Sequence, residues 1–107
     1  MTIYEPAEDT FLIQKHIKDY AKGNVLDIGT GYGVLAVEAA QCSAVKRVFA
    51  VDIQKEVIDY CKKKYNNKKY KNITFIQSNL FSTFTHKSMT NAVSKMDLYD
   101  TIIFNQM

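Results

Sequence analysis

The stretch VLDIGTGYG at residues 25–33, followed by Asp52, constrains the fold of this chain more than any other feature. Residues 24–28 are apolar enough for a short strand, glycines at 29, 31 and 33 make a tight loop, and VLAVEAAQCS (34–43) reads as a helix rich in small residues. RVFAVD (47–52) reads as a second buried strand, and Asp52 lies 21 residues beyond Gly31. A strand that runs into a glycine loop, with a helix starting at once, lets a ligand lie against bare backbone. A carboxylate ending the next parallel strand can accept both hydroxyls of a ribose. The spacing therefore predicts a nucleoside-cofactor site at the C-terminal edge of a parallel sheet. The bland counterpart is a βα turn with incidental glycines.

The remainder of the chain fits that frame. AEDTFLIQKHIKDYA (7–21) puts Phe11, Leu12, Ile13, Ile17, Tyr20 and Ala21 on one helical face, and Pro6 suits the first helical position. KEVIDYCKKKY (55–65) carries Val57, Ile58, Cys61 and Tyr65 along one stripe, as an amphipathic helix does. NITFIQ (72–77) and LYDTIIF (98–104) read as two more strands, and residues 78–97 are polar, with a short helix expected near 89–95. Strands alternating with helices argue for an α/β fold with a parallel sheet, and 107 residues leave room for one domain, spanning 1–107. The expected strand at 98–104 is followed only by Asn105-Gln106-Met107, so it is expected to leave an open apolar edge.

Composition excludes several classes. No apolar run approaches the roughly 20 residues of a membrane span, and the acidic N-terminus MTIYEPAEDT lacks the pattern of a signal peptide. Cys42 and Cys61 stand alone, without metal-ligand spacing, which fits reduced thiols in a cytoplasmic protein. The net charge of +3 is too mild to identify a nucleic-acid binder. Lysines and tyrosines interleave in KKKYNNKKYK (62–71), where contact with RNA or an acidic partner competes with a simpler account, lysines at a helix C-terminus and in a solvated turn. His16, His86, Met89 and Met96 carry no catalytic pattern.

The dinucleotide fingerprint G-x-G-x-x-G would need a glycine at position 34, which is Val34, so a nicotinamide site is the weaker alternative. An acid inside the strand, Asp27, followed by Gly29, Thr30, Gly31 and Gly33, resembles the first motif of class I S-adenosylmethionine-dependent methyltransferases. Upstream, YEPAEDTFLI (4–13) resembles the N-terminal signature of the HemK-type protein-glutamine methyltransferases, in the eukaryotic and archaeal subgroup that modifies translation release factors. The resemblance runs over essentially all of the chain. It implies a Rossmann-like sheet of which strands one to four are present, in the superfamily order 3-2-1-4, with S-adenosylmethionine as cofactor.

Carried over by position, the resemblance gives Thr10 to the cofactor from the first helix. Asp27, Gly29, Thr30, Gly31 and Gly33 form the cofactor loop. Asp52, with Ile53 beside it, is the ribose acid. Asn79 and Leu80 fall where the family has Asp-Leu beside the adenine, and an amide there accepts from the adenine amino group without a charge. Asn105 matches the catalytic asparagine, which in the family opens an Asn-Pro-Pro-Tyr motif. This chain continues instead as Gln106-Met107, so poor catalysis by the 107-residue chain is expected.

The leading function is methyl transfer to a glutamine side-chain nitrogen of a release factor. N6-adenine methylation of nucleic acid is the alternative within enzymes, and a cofactor-binding remnant or interaction module without catalysis is the alternative outside them. The resemblance also implies a small zinc-binding activator protein docked on the strand at 72–77. Incompleteness of the sheet predicts a truncated or split chain, completed by a second copy or a second polypeptide. No metal site and no membrane contact are expected.

Overall fold

The computed structural model describes residues 2–4, 10–66, 68–78 and 98–104. Its strands are β1 (Thr2–Tyr4), β2 (Gly23–Ile28), β3 (Val45–Asp52), β4 (Ile73–Gln77) and β5 (Thr101–Phe104). The helices are α1 (Thr10–Tyr20), α2 (Val34–Ala40) and α3 (Lys55–Lys64), and a single 3-10 turn covers Lys68–Tyr70.

All pairings are parallel, and the sheet runs β1-β5-β2-β3-β4. Without β1, that is the 3-2-1-4 order expected from the sequence. α2 connects β2 to β3 and α3 connects β3 to β4, as parallel neighbours require a crossover. Residues alternate between the two faces of the sheet. Val25, Val48, Ala50, Phe75 and Ile103 meet Ile17 and Ala21 from the α1 region, Leu35, Ala36 and Ala39 from α2, and Ile58 and Cys61 from α3. Leu26, Val51 and Ile102 form a second cluster on the opposite face with Phe49, Tyr99 and Phe104. Strands buried on both faces explain why the central sequences are continuously apolar.

The return of the chain to β2 is fixed by side chains. The Asp100 carboxylate accepts from Asn24 N (2.9 Å), while Asp100 N donates to Asn24 O (2.8 Å). Buried Thr101 accepts from Lys22 N at 3.2 Å and donates to Lys22 O at 3.1 Å through the same hydroxyl.

Three expectations need correction. The edge of β5 is not left open: β1 pairs with it, Thr2 against Thr101, Ile3 against Ile102 and Tyr4 against Ile103. A three-residue strand with only one polar member offers no sequence period to detect. Tyr20 does not face the core; it is 62% exposed, its ring 5.9 Å from that of His16. Tyr20 closes α1, and its slot on the apolar stripe passes to Ala21, whose N–H still reaches Ile17 O at 2.9 Å. Leu98, expected within the last strand, is exposed ahead of it. The helix expected near 89–95 lies outside the described residues. Among the described residues the outer edge at 72–77 is as expected, with β4 paired on one side only and Ile76 exposed.

Candidate functional site

The loop after β2 is built by hydrogen bonds from both neighbours. Gly29 N and Thr30 N both donate to Val51 O at 2.9 Å, which turns the chain over the end of β3. Gly33 N closes the turn on Thr30 O at 3.0 Å, and Val37 N caps back onto Gly33 O at 2.9 Å. Gly31 and Gly33 have φ of +55° and +83°, in the region that favours glycine. A Cβ on Gly33 would lie 3.1 Å from the Tyr65 ring, 3.2 Å from Cys61 Sγ and 3.3 Å from the Phe75 ring, so this glycine is needed for packing. A Cβ on Gly31 would meet nothing within 4 Å, so open space lies beside the tip of the loop.

Two buried carboxylates hold that tip. Asp52 Oδ2 accepts from Gly31 N at 3.0 Å and Asp52 Oδ1 accepts from Gln54 N at 2.9 Å. Asp27 Oδ2 accepts from the Thr30 hydroxyl at 2.8 Å. Asp27 Oδ1 is buried and finds no hydrogen-bond partner among the described residues. Burial pushes the Asp27 carboxyl up to about 7; the Thr30 hydrogen bond opposes this and the nearby Asp52 charge adds to it.

Beneath the loop, Cys61 Sγ donates to Gly31 O at 3.2 Å. Burial, then the Asp52 and Asp27 charges, push this thiol up to about 11, so it stays neutral and acts as a donor and packing group. Tyr65 Oη donates to Tyr32 O at 3.3 Å. The Tyr32 and Tyr60 rings meet edge-on at 5.1 Å. Cys61 and Tyr65 read from the sequence only as core residues of α3, because nothing in their spacing tells that the thiol and the phenol reach the loop.

The site residues expected from the sequence divide into two groups. Asp27, Gly29, Thr30, Gly31, Gly33, Asp52 and exposed Ile53 come together at the C-terminal ends of β2 and β3. The chain leaves β4 beside them, with Ser78 N donating to Asp52 O at 2.9 Å and Gln77 Nε2 to Ile53 O at 3.2 Å. Thr10 opens α1. Asn79, Leu80 and Asn105 lie outside the described residues. Among the described residues no group of His, Cys, Asp or Glu could hold a metal, and no helix is long and apolar enough to cross a membrane. Two lysines sit over tyrosine rings: Lys64 Nζ, at the end of α3, is 5.5 Å from the centroids of Tyr60 and of Tyr65, and Lys69 Nζ, in the 3-10 turn, is 5.5 Å from that of Tyr70.

A parallel α/β sheet with a glycine loop braced by two acids at its C-terminal edge is the architecture of a nucleoside-binding transferase domain. The chain belongs to the family described as "Methyltransferase domain", which matches residues 19–107. It is 35% identical over 105 residues to a Methanocaldococcus jannaschii protein named as a protein N5-glutamine methyltransferase, covering 96% of this chain and 46% of that one. It is 39% identical over 70 residues to a release factor glutamine methyltransferase of Rhodopirellula baltica, covering 64% of this chain and 24% of that one. Among solved structures, a SAM-dependent methyltransferase from Aquifex aeolicus superposes with a TM-score of 0.54 at 29% identity, covering 64% of this chain and 38% of the other. The chain thus spans less than half the length of these two curated relatives.

Proposed function

We propose that this chain is the cofactor-binding part of an S-adenosylmethionine-dependent methyltransferase that modifies a glutamine side-chain nitrogen in a translation release factor. The observation that carries the reading is the bracketing of one open glycine loop by buried Asp27 and Asp52. Asp52 suits ribose hydroxyls: each of its oxygens takes one backbone donor and retains a lone pair. The space at Gly31 suits a ligand lying against backbone, and the unpaired Asp27 oxygen suits the ammonium of the amino-acid end. Thr10, Gly29, Thr30, Gly33 and Ile53 complete the proposed pocket, with Asn79 and Leu80 at the adenine on the strength of the resemblance.

The cofactor supplies a methyl group activated by a sulfonium. The substrate amide nitrogen is a poor nucleophile because its lone pair is delocalised, so the protein's contribution is positioning and hydrogen bonding. Asn105 is proposed to accept one substrate N–H through its side-chain oxygen, and the carbonyl after it to accept the other. Bound there, the cofactor would give up its methyl group to the substrate nitrogen and be left as a neutral thioether, and the nitrogen's proton would pass to solvent. The names of the curated relatives support glutamine over adenine as the acceptor.

The free edge of β4 suits a partner that extends the sheet, since Thr74, Ile76 and Gln77 are exposed there. A small zinc-binding activator is the proposed occupant, with a second copy of the chain as the competing one. Calorimetric titration with S-adenosylhomocysteine, S-adenosylmethionine and NAD tests the cofactor assignment. Tighter binding of NAD would overturn it. Labelling of a release-factor fragment containing Gly-Gly-Gln, against an adenine-containing oligonucleotide, tests the acceptor.

A further inference from the structure

The unpaired oxygen of Asp27 has a consequence that binding alone does not. Asp27 is 0% exposed, at the end of β2 directly before the loop. Among the described residues its one hydrogen bond comes from a neutral hydroxyl, Thr30, and the other oxygen has none. The ionisable groups that act on it bring no compensating charge. From β3 comes the Asp52 carboxylate, which is like-charged, and from α3 the Cys61 thiol, which stays neutral. No lysine, arginine or histidine among the described residues acts on Asp27. Asp52 is better placed, with a backbone N–H on each oxygen. Burial with a single neutral donor favours the protonated form of Asp27.

We propose that the empty site holds a proton on Asp27, and that a ligand bearing an ammonium group expels it, so that cofactor binding is an exchange of one cation for another. This rests on the cofactor reading above. The proton leaves to solvent, the carboxylate becomes anionic, and the ligand's ammonium donates to the freed oxygen, so one positive charge beside Asp27 replaces another. The device also selects ligands. A nucleoside without the amino-acid end brings no cation, leaves the proton in place and forgoes the charge-assisted hydrogen bond. Because burial raises the carboxyl to about 7, the exchange falls within the physiological range, and affinity for the ammonium-bearing ligand declines as pH drops below that value.

The test is calorimetry on the 107-residue chain near pH 6, in buffers of low and high ionisation enthalpy, which counts protons released per ligand bound. S-Adenosylhomocysteine is compared with methylthioadenosine, which has the nucleoside and thioether but no amino acid. Expected are about 0.9 proton released with S-adenosylhomocysteine, falling toward zero above about pH 8, and none with methylthioadenosine. The affinity of S-adenosylhomocysteine should fall about tenfold per pH unit below about pH 6, while that of methylthioadenosine should not. Asp27→Asn should bind without releasing a proton. Binding of S-adenosylhomocysteine with no proton release, or equal release by both ligands, would overturn the exchange while leaving the cofactor reading intact. Failure of wild type to bind either ligand would overturn both. The wild-type proton count decides the matter even if the variant does not fold.

Discussion

The backbone N–H of Gly31 donates to Asp52 Oδ2 at 3.0 Å, so the acid that ends one strand sets the height of the loop that follows its neighbour. Asp52→Ala removes this bond and the one from Gln54 N. If Asp52 also accepts the ribose hydroxyls, its loss should cost about 1.5–3 kcal/mol of binding, roughly ten- to hundredfold in affinity. Titration of S-adenosylhomocysteine against the variant measures this. Unchanged affinity would remove Asp52 from the pocket.

Gly31 and Gly33, two of the three positive-φ glycines of the loop, should respond differently to alanine. Gly33→Ala drives a methyl against Tyr65, Cys61 and Phe75 and adds backbone strain, for about 2–4 kcal/mol of lost stability in urea unfolding. Gly31→Ala meets no atoms, so only the strain of about 1–2 kcal/mol applies. Its methyl nevertheless enters the space proposed for the ligand, so the affinity loss should exceed that of Gly33→Ala once both are folded. The reverse ranking would count against a ligand at Gly31.

Asp27 should leave a signature in stability as well as in binding. Its carboxyl rises from 3.8 to about 7 on folding, so between those values the folded chain holds more protons than the unfolded one. Stability conferred by the protonated group is therefore present below pH 3.8 and lost as pH rises through about 7. At ~1.4 kcal/mol per pKa unit the contribution is roughly 4 kcal/mol. Asp27→Asn should lack this decline across the window and gain on wild type toward pH 8. Parallel stability–pH curves for the two proteins would contradict it.

The pairing of β1 with β5 covers a row of backbone donors and acceptors next to buried Ile102 and Ile103. Removing residues 1–4 should expose that edge and make the chain associate. Light scattering across a concentration series should show mass rising for the shortened chain and less so for the full one. A concentration-independent monomer after removal would mean that β1 does not guard the edge.

What could be read from sequence followed from how locally each feature is encoded. The glycine loop, Asp27 and Asp52 were legible because strand, turn and helix signals follow one another without a gap, and a fixed spacing carries the second acid. The order of β2 to β5 was legible through the resemblance and through alternating strand and helix patterns. β1 was not, since three residues carry no period and its partner lies at the far end of the sequence. Nor was Tyr20, where α1 ends and the helical stripe loses its geometric force. The reach of Cys61 to Gly31 O depends on how α3 packs over the loop, which no local pattern encodes. The unpaired oxygen of Asp27 was equally hidden: a sequence names the acid but not the number of its donors.

The order of strands in space has a cost in time. β5 is the last of the described strands in the chain, yet it sits between β1 and β2. During synthesis β2, β3 and β4 can pair in the order they emerge from the ribosome, whereas the contact of Thr2 with Thr101 must wait until β5 has been made. Until then both β1 and the inner side of β2 lack their neighbour, with Val25 and Leu26 uncovered along that side. The slow, high-contact-order closure of this sheet is thus the interval in which a nascent chain is most exposed to wrong partners, and in which a chaperone has the most to hold.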